Sequence, residues 1–170
     1  LEWIEPWTTV LDWQPPYARW FVGGRLNVSA NCLDRHVRTA RRNKAALIWE
    51  GEPGEKRVLT YQQLHRDVCR FANVLKRHKV KKGDRVALML PNIPQMVIAY
   101  YGTLRIGAVA VTTNPLYHAH EVEVQLKDSG AETLVAVDMF YPVIKQALPK
   151  TSVKTLILCG IKDYLPFPLN

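Results

Sequence analysis

The residues best able to bind a ligand lie in one polar segment that follows a predicted strand. Asn114, Tyr117 and His118 offer an amide, a phenol and an imidazole within five positions. Open α/β sheets bind ligands beyond the carboxyl ends of their strands, so these three are the candidate substrate- or cofactor-binding residues. The pattern favours a structural alternative, because Asn followed by Pro forces a turn and the polar residues after it start a helix.

Two other groups of side chains contain the residue types of catalytic sites. Cys69 lies four residues after His65 on a predicted helix, but no third residue is expected to orient the imidazole, so a core thiol beside a surface histidine is the better interpretation. Asp34, Arg35 and His36 are consecutive, and adjacent residues on a helix point in different directions. Ion pairing that fixes this segment is therefore expected there, and no catalytic residue is predicted.

Phosphate-binding and metal-binding motifs are absent from the sequence. Neither a Walker loop nor a GxGxxG motif follows a predicted strand. Cys32, Cys69 and Cys159 are widely spaced, and the sequence has no CxxC or Cys/His metal-ligand spacing. We interpret the three cysteines as reduced thiols of a cytosolic type of protein, and we predict no metal site.

The formal net charge of +8 does not by itself indicate a nucleic-acid partner. Much of it comes from the run at residues 76–82, which closes a predicted helix, where cations complement the helix dipole. No aromatic interleaving or recognition-helix pattern accompanies this run, so no nucleic-acid binding is predicted. The longest apolar region, residues 86–111, is broken by Pro91, Pro94 and Arg105, which excludes a transmembrane segment there.

The elements that position these residues begin with a compositionally distinct segment, residues 1–44. It shows little helical or strand periodicity and is rich in tryptophan, with Trp3, Trp7, Trp13 and Trp20. Leaving four indoles in water costs several kcal/mol at ~25 cal/mol per Å² of apolar area. We therefore predict an extended arm that packs on the rest of the molecule, with a short helix from about residue 31 to residue 40.

A β-hairpin and an amphipathic helix are predicted next. Residues 45–50 and 56–60 have strand-forming composition and are separated by a turn-forming cluster. Thr60 and Gln63 fit a capping box at the start of the helix. The apolar residues that follow fall on one face of that helix: Leu64, Val68, Phe71 and Leu75.

From residue 85 onward, predicted strands and helices alternate. The strands cover residues 85–90, 108–112, 133–137 and 154–158, and the helices cover 94–106, 120–129 and 139–148. Strands as continuously apolar as these are covered on both faces. The predicted fold class is therefore α/β: an extended Trp-rich arm and a β-hairpin, then β/α units that form a parallel sheet with helices on both faces.

Several segments, taken together, resemble the AMP-forming acyl-CoA synthetases. Segments similar to the acetyl- and propionyl-type members are LEWIEPWTTVLDW (residues 1–13), WFVGGRLNVSANCLDRH (20–36), LTYQQLHRDVCRFANVL (59–75) and KKGDRVALMLPNIP (81–94). From residue 112 the sequence instead resembles the long-chain fatty acyl-CoA ligases, with NPLY at 114–117 and LKDSGA at 126–131. The chain thus combines the features of two branches of one superfamily.

The resemblance implies a reaction in which a carboxylate and ATP give an acyl-adenylate and pyrophosphate, after which CoA displaces AMP. It also implies ATP, Mg²⁺ and CoA for the complete enzyme, none of them in this chain alone, and the remainder of the synthetase as partner. The family's pyrophosphate loop ending in Pro-Lys-Gly, adenine-contacting acidic motif, ribose-binding aspartate and catalytic lysine have no counterpart in this sequence. We therefore interpret the chain as an N-terminal portion that is inactive by itself.

On the same resemblance, residues 1–44 are an N-terminal arm, residues 45–170 are the first, incomplete α/β subdomain, and the cytoplasm or an organelle matrix is the expected location. One alternative is a non-enzymatic domain with a flavodoxin-like sheet that binds a small molecule or a partner. A nucleic-acid adaptor is a third possibility that rests on charge alone.

Overall fold

A computed structural model describes residues 1–52 and 54–161 of the chain. It begins with an antiparallel hairpin of β1 (Thr9–Gln14) and β2 (Tyr17–Val22). This hairpin corrects the expectation of little strand periodicity in the first 44 residues. The sequence LDWQ in β1 does alternate between apolar and polar residues, but the many Pro and Gly residues around it obscured the pattern.

The hairpin does not pack on the rest of the described chain in the way that we expected. The side chains of Trp13 and Trp20 remain 61% exposed, so the prediction that the arm buries its indoles on the α/β body is wrong for these two residues. Contacts near the hairpin are instead local, since the Phe21 ring lies 5.5 Å from that of Trp3 and 6.1 Å from that of Trp7. An uncovered indole surface therefore remains.

The next segment connects the hairpin to the body. A helical turn over Ala30–Asp34 continues into α1 (Arg35–Val37), and a 3₁₀ turn follows over Ala40–Asn43. The expected short helix is thus confirmed in position. The side chain of Asn31 accepts a hydrogen bond from the Glu2 N–H at 2.7 Å, which fixes the start of the chain against this turn.

The predicted second hairpin and its helix are both present. β3 (Ala45–Glu50) pairs with β4 (Lys56–Thr60), and α2 (Tyr61–Arg77) follows directly. The Gln63 N–H donates to the Thr60 hydroxyl at 3.2 Å, while the Gln63 side-chain oxygen accepts from the Thr60 N–H at 2.8 Å. This reciprocal pair confirms the capping box, which satisfies two amides that the helix leaves free.

A four-stranded parallel sheet forms the centre of the body, as predicted. Its strands are β5 (Arg85–Met89), β6 (Val109–Thr112), β7 (Thr133–Val137) and β8 (Thr155–Cys159), in the spatial order β6-β5-β7-β8. The helices between them are α3 (Pro94–Arg105), α4 (Ala119–Ser129) and α5 (Tyr141–Ala147). The helix predicted over 139–148 is shorter than expected, because 3₁₀ turns occupy both of its ends.

Alternate residues of β5 face two different hydrophobic clusters. Val86 and Leu88 pack with Leu75 of α2 and with residues of α3, whereas Ala87 and Met89 pack with residues of α4 and α5. Successive side chains of a strand point to opposite faces, so helices cover both faces of the sheet, as predicted. Among the helices of residues 1–52 and 54–161, none is both long and apolar enough to cross a membrane.

Candidate functional site

The four parallel strands end at one edge of the sheet, and the connections after them form the candidate site. The strand order reverses direction between β5 and β7, and open α/β sheets bind ligands at such a reversal. The segment after β5 (residues 90–93) and the 3₁₀ turn Asp138–Phe140 after β7 flank this position. The segment that carries the predicted binding residues follows β6, the neighbour of β5 on the other side.

Asn114, Tyr117 and His118 lie together in the connection between β6 and α4. The Asn114 side-chain oxygen accepts a hydrogen bond from the Leu116 N–H at 3.0 Å, which makes a local turn. The His118 N–H donates to the Glu121 carboxylate at 2.8 Å at the start of α4. Asn114 and His118 are exposed, whereas Tyr117 is half-buried against the core. The structural interpretation is thus supported by the turn at Asn114 and by the helix start at His118. The side chains of Asn114 and His118 are nevertheless exposed and accessible to a ligand.

Three polar side chains that the sequence analysis did not single out also lie near this edge. Thr113 is buried, and within the described part of the chain its hydroxyl has no hydrogen-bond partner. The side-chain oxygens of Gln95 and Gln125 are likewise unpaired there, although their NH₂ groups donate to the carbonyls of Gly160 and Thr112 at 3.0 and 2.9 Å. Buried polar groups are normally paired, so these atoms are suited to a polar ligand. The spacing of Gln95, Thr113 and Gln125 along the sequence matches no binding motif, so the sequence alone could not identify them as binding residues.

A second polar cluster surrounds Asp34. Its carboxylate accepts two hydrogen bonds from the Arg105 guanidinium, at 2.6 and 3.0 Å, and lies 3.3 Å from Nε2 of His65. The sulfur of Cys69 lies 3.7 Å from the same nitrogen. Asp34 is therefore a third group beside His65 and Cys69. We did not expect it from the sequence, because Asp34 lies 31 residues before the histidine.

The electrostatics of this cluster do not favour a nucleophilic thiol. Burial raises the pKa of Cys69, and the nearby Asp34 carboxylate adds to the rise, although Arg105 opposes it. Burial also acts to raise the pKa of Asp34, but the hydrogen bonds and charges of Arg105 and His65 lower it overall. A catalytic relay needs the carboxylate and the thiol aligned with opposite ring nitrogens, whereas the Cys69 sulfur is nearly equidistant from the two, 3.9 Å from Nδ1 and 3.7 Å from Nε2, and is aligned with neither. The expected ion pairing is thus confirmed for Asp34, in a structural role.

A cavity of about 320 Å³ lies at the opposite, amino-terminal edge of the sheet. Two of the cationic side chains that line it, those of Arg85 and Lys154, already have partners within the chain. The Arg85 guanidinium donates to the carbonyls of Ser129 and Gly130 at 3.1 and 2.9 Å, and Lys154 pairs with Glu132 at 2.9 Å. These contacts tie β5 and β8 to the segment before β7. Across residues 1–52 and 54–161, no three His, Cys, Asp or Glu side chains are grouped so that they could hold a metal ion.

Comparisons with known proteins give a consistent family. A family model described as "AMP-binding enzyme" matches residues 33–167, and a model described as "Acetyl-coenzyme A synthetase N-terminus" matches residues 1–32. The acetyl-coenzyme A synthetase of Gemmatimonas aurantiaca is 49% identical over 138 residues, which are 81% of this chain and 21% of that protein. The acetyl-coenzyme A synthetase of Pyrobaculum aerophilum is 40% identical over a matched region that includes 96% of this chain and 28% of that protein.

A solved structure supports the same relationship. A long-chain-fatty-acid-CoA ligase of Archaeoglobus fulgidus superposes with a TM-score of 0.71 at 29% identity, covering 77% of this chain and 27% of that one. The acetyl-type relatives match 81% and 96% of this chain and the long-chain ligase matches 77% of it, so these comparisons agree on the family, and the division into two branches at residue 112 stays a prediction. The chain spans about a fifth of the length of the first curated relatives that it matches.

Proposed function

The chain belongs to the AMP-binding enzyme family, and on that premise we propose that it is the N-terminal portion of an acyl-CoA synthetase. The observation that carries this proposal is the pair of adjoining family matches, residues 1–32 to the acetyl-coenzyme A synthetase N-terminus and residues 33–167 to the AMP-binding enzymes. Within this portion we propose an arm, residues 1–44, and a first α/β subdomain, residues 45–170.

The proposed reaction of the complete protein is the activation of a carboxylic acid by ATP, followed by transfer of the acyl group to CoA. Acetyl-coenzyme A synthetases and a long-chain-fatty-acid-CoA ligase are both similar to this chain, which supports the carboxylic acids as the substrate class. We propose that Asn114, Tyr117 and His118 contribute to the ligand-facing edge, because they follow β6 beside the reversal of strand order.

The residues of this chain do not by themselves fit ATP and Mg²⁺. No phosphate-binding loop occurs in the sequence, and among the described residues no three His, Cys, Asp or Glu side chains are grouped so that they could hold a metal ion. We therefore assign the contacts with ATP, Mg²⁺ and CoA mainly to the remainder of the synthetase, which is the proposed partner. We place the protein in the cytoplasm or an organelle matrix, where the thiols of cysteines such as Cys32, Cys69 and Cys159 stay reduced.

Exchange of labelled pyrophosphate into ATP tests the proposal. The chain alone is expected to show no exchange with acetate, butyrate or palmitate. A full-length hybrid, in which the chain replaces the matching part of the Pyrobaculum aerophilum relative, is expected to show exchange that depends on one of these acids. Acid-dependent exchange by the chain alone would refute the assignment of the ATP and Mg²⁺ contacts to the remainder of the synthetase. A folded but inactive hybrid would refute the proposed function.

A further inference from the structure

The first hairpin has one face that is mainly apolar and one that is mainly polar, with Val10, which is 44% exposed, on the same side as Asp12 by alternation. Cross-strand partners share a face, so the pairs Leu11–Trp20 and Trp13–Ala18 lie on one side. The other side carries the partners Asp12 and Arg19, which form an ion pair, and the partners Gln14 and Tyr17. This division is typical of a hairpin that lies on a hydrophobic core.

No part of the described chain covers the apolar face. Trp13 and Trp20 are each 61% exposed and Leu11 is 38% exposed. A lone two-stranded hairpin is at best marginally stable in water, and packing against another element is what normally stabilises it. The two central indoles together with Leu11 form a continuous apolar surface, which marks an interaction site more often than an accident of folding.

The size of the related proteins argues for one occupant. Residues 1–32 match the N-terminus of acetyl-coenzyme A synthetases, so the hairpin belongs to that architecture. This chain accounts for only 21–28% of the length of the Gemmatimonas aurantiaca and Pyrobaculum aerophilum relatives. Most of such a protein is therefore available to cover a face that this chain leaves open.

We propose that the apolar face of the first hairpin, formed by Leu11, Trp13, Ala18 and Trp20, is a docking surface for the part of the acyl-CoA synthetase that this chain does not contain. The polar face, with Tyr17 and the Asp12–Arg19 pair, stays in water. This inference rests on the proposed function, because that function supplies the occupant. Its consequence is that the arm joins two parts of the enzyme instead of covering its own α/β body.

Hydroxyl-radical footprinting with mass spectrometry tests the docking surface on the chain alone and on the full-length hybrid. Trp13 and Trp20 are expected to be oxidised readily in the chain alone and at least about fivefold more slowly in the hybrid, since burial excludes the radical. Tyr17, on the polar face, is the internal control and is expected to react at a similar rate in both proteins. Unchanged oxidation of the two indoles in the hybrid would overturn the proposal.

A stability measurement provides a second test that does not depend on the hybrid. The variant W13A/W20A of the chain alone is expected to stay close to the wild-type urea midpoint, because both indoles are 61% exposed and the contacts they lose lie within the hairpin, with Leu11, Ala18 and Phe21. A clearly lowered midpoint would overturn the proposal by showing that the face is already packed. Two other results would also overturn the proposal. The first is dimerisation of the wild-type chain that W13A/W20A abolishes, and the second is binding to phosphatidylcholine/phosphatidylserine vesicles that W13A/W20A abolishes.

The outcomes separate this inference from the proposed function. A hybrid that performs acid-dependent pyrophosphate exchange while both indoles stay reactive would retain the function and refute the docking surface. A folded hybrid with protected indoles and no exchange would retain the docking surface and refute the function.

Discussion

The carboxylate of Asp34 connects residues that lie far apart in the sequence. Its partners, His65 on α2 and Arg105 at the end of α3, follow it by 31 and 71 residues. The pair with Arg105 is bidentate, and both side chains are largely withdrawn from water. Such pairs are stronger than exposed ones because they lose less to solvent and are held in a fixed geometry. Asp34 therefore fixes the arm segment to two helices of the body.

Replacing Asp34 by Asn is expected to lower the free energy of unfolding by about 2 kcal/mol, because the Arg105 guanidinium loses a charged hydrogen-bond acceptor. Urea denaturation followed by circular dichroism measures this loss. Asp67→Asn is the matched control, since Asp67 lies 3.6 Å from exposed Arg66 and Arg70, and such pairs contribute at most about 1 kcal/mol. Equal losses in the two variants would contradict the assigned role.

The same carboxylate gives a pH dependence with a defined sign. The pKa of Asp34 in the folded chain lies below its ordinary value of 3.8, so its stabilising contribution is full above that value and is lost as the pH falls through the folded pKa. The difference in unfolding free energy between wild type and Asp34→Asn is expected to shrink below about pH 4. Urea titrations between neutral pH and the acid limit measure it, and a difference that widens on acidification would disprove the assignment.

Sequence reasoning at the residue scale succeeded only for short separations. The His65–Cys69 contact follows from helical spacing, and the prediction of an ion pair at Asp34 was correct in kind. Neither Arg105 nor His65 could be assigned as the partner of Asp34, because only the packing of α2 and α3 brings them to it. The binding roles of Asn114, Tyr117 and His118 stay predictions.

At the scale of elements, the contact between α2 and α3 depends on a small residue. Gly102 is buried on α3, and a Cβ atom there would lie 2.8 Å from the ring of Phe71 and 3.4 Å from backbone atoms of Ala72 and Val68. The partly buried Phe71 ring packs against two hydrophobic clusters, so turning it aside to admit a methyl group loses contacts there. Gly102 therefore sets how closely the two helices approach.

Gly102→Ala is expected to lower the free energy of unfolding by about 1–3 kcal/mol through overpacking, although alanine favours helix over glycine by about 1 kcal/mol. Chemical denaturation measures the change. In the double variant G102A/F71L the smaller side chain should return at least half of the loss, which identifies the Phe71 contact as its cause. A single variant more stable than wild type would show that the helices separate freely.

Elements with strong local signals were predictable, and the first hairpin was not. The capping box at Thr60 and the apolar stripe of α2 are encoded within a few residues, so the start of that helix was located correctly. The hairpin alternates apolar and polar residues over too few positions, between Pro and Gly, for its strands to stand out. Whether it packs on the body depends on contacts between distant segments, which local pattern cannot reveal.

At the scale of the whole molecule, the chain carries tryptophans in two environments. Trp13 and Trp20 are largely in water, whereas Trp49 is half-buried and its indole N–H donates to the Asn92 carbonyl at 3.1 Å. The strand order that brings these regions together was not predicted either. Alternation of strands and helices indicates a parallel sheet, but the choice of neighbours depends on contacts between distant segments.

The emission spectrum of the chain is expected to be dominated by water-exposed indoles. Trp13→Phe/Trp20→Phe should shift the emission maximum to shorter wavelength and reduce quenching by acrylamide, because the remaining indoles are more buried. Trp49→Phe is the control and should shift the maximum in the opposite direction. Steady-state fluorescence measures all three proteins, and a double variant with unchanged emission and quenching would contradict the exposed hairpin face.

The spatial order β6-β5-β7-β8 has a consequence for how the protein is made. The ribosome releases β5 before the other three strands of the sheet, yet β5 lies between β6 and β7. Each later strand can therefore be added to a neighbour that has already been synthesised, first β6 on one side of β5, then β7 on the other, then β8 beside β7. Domains tend to fold from the amino terminus during synthesis. This sheet can grow outward from β5 on the nascent chain without waiting for a strand still to be translated.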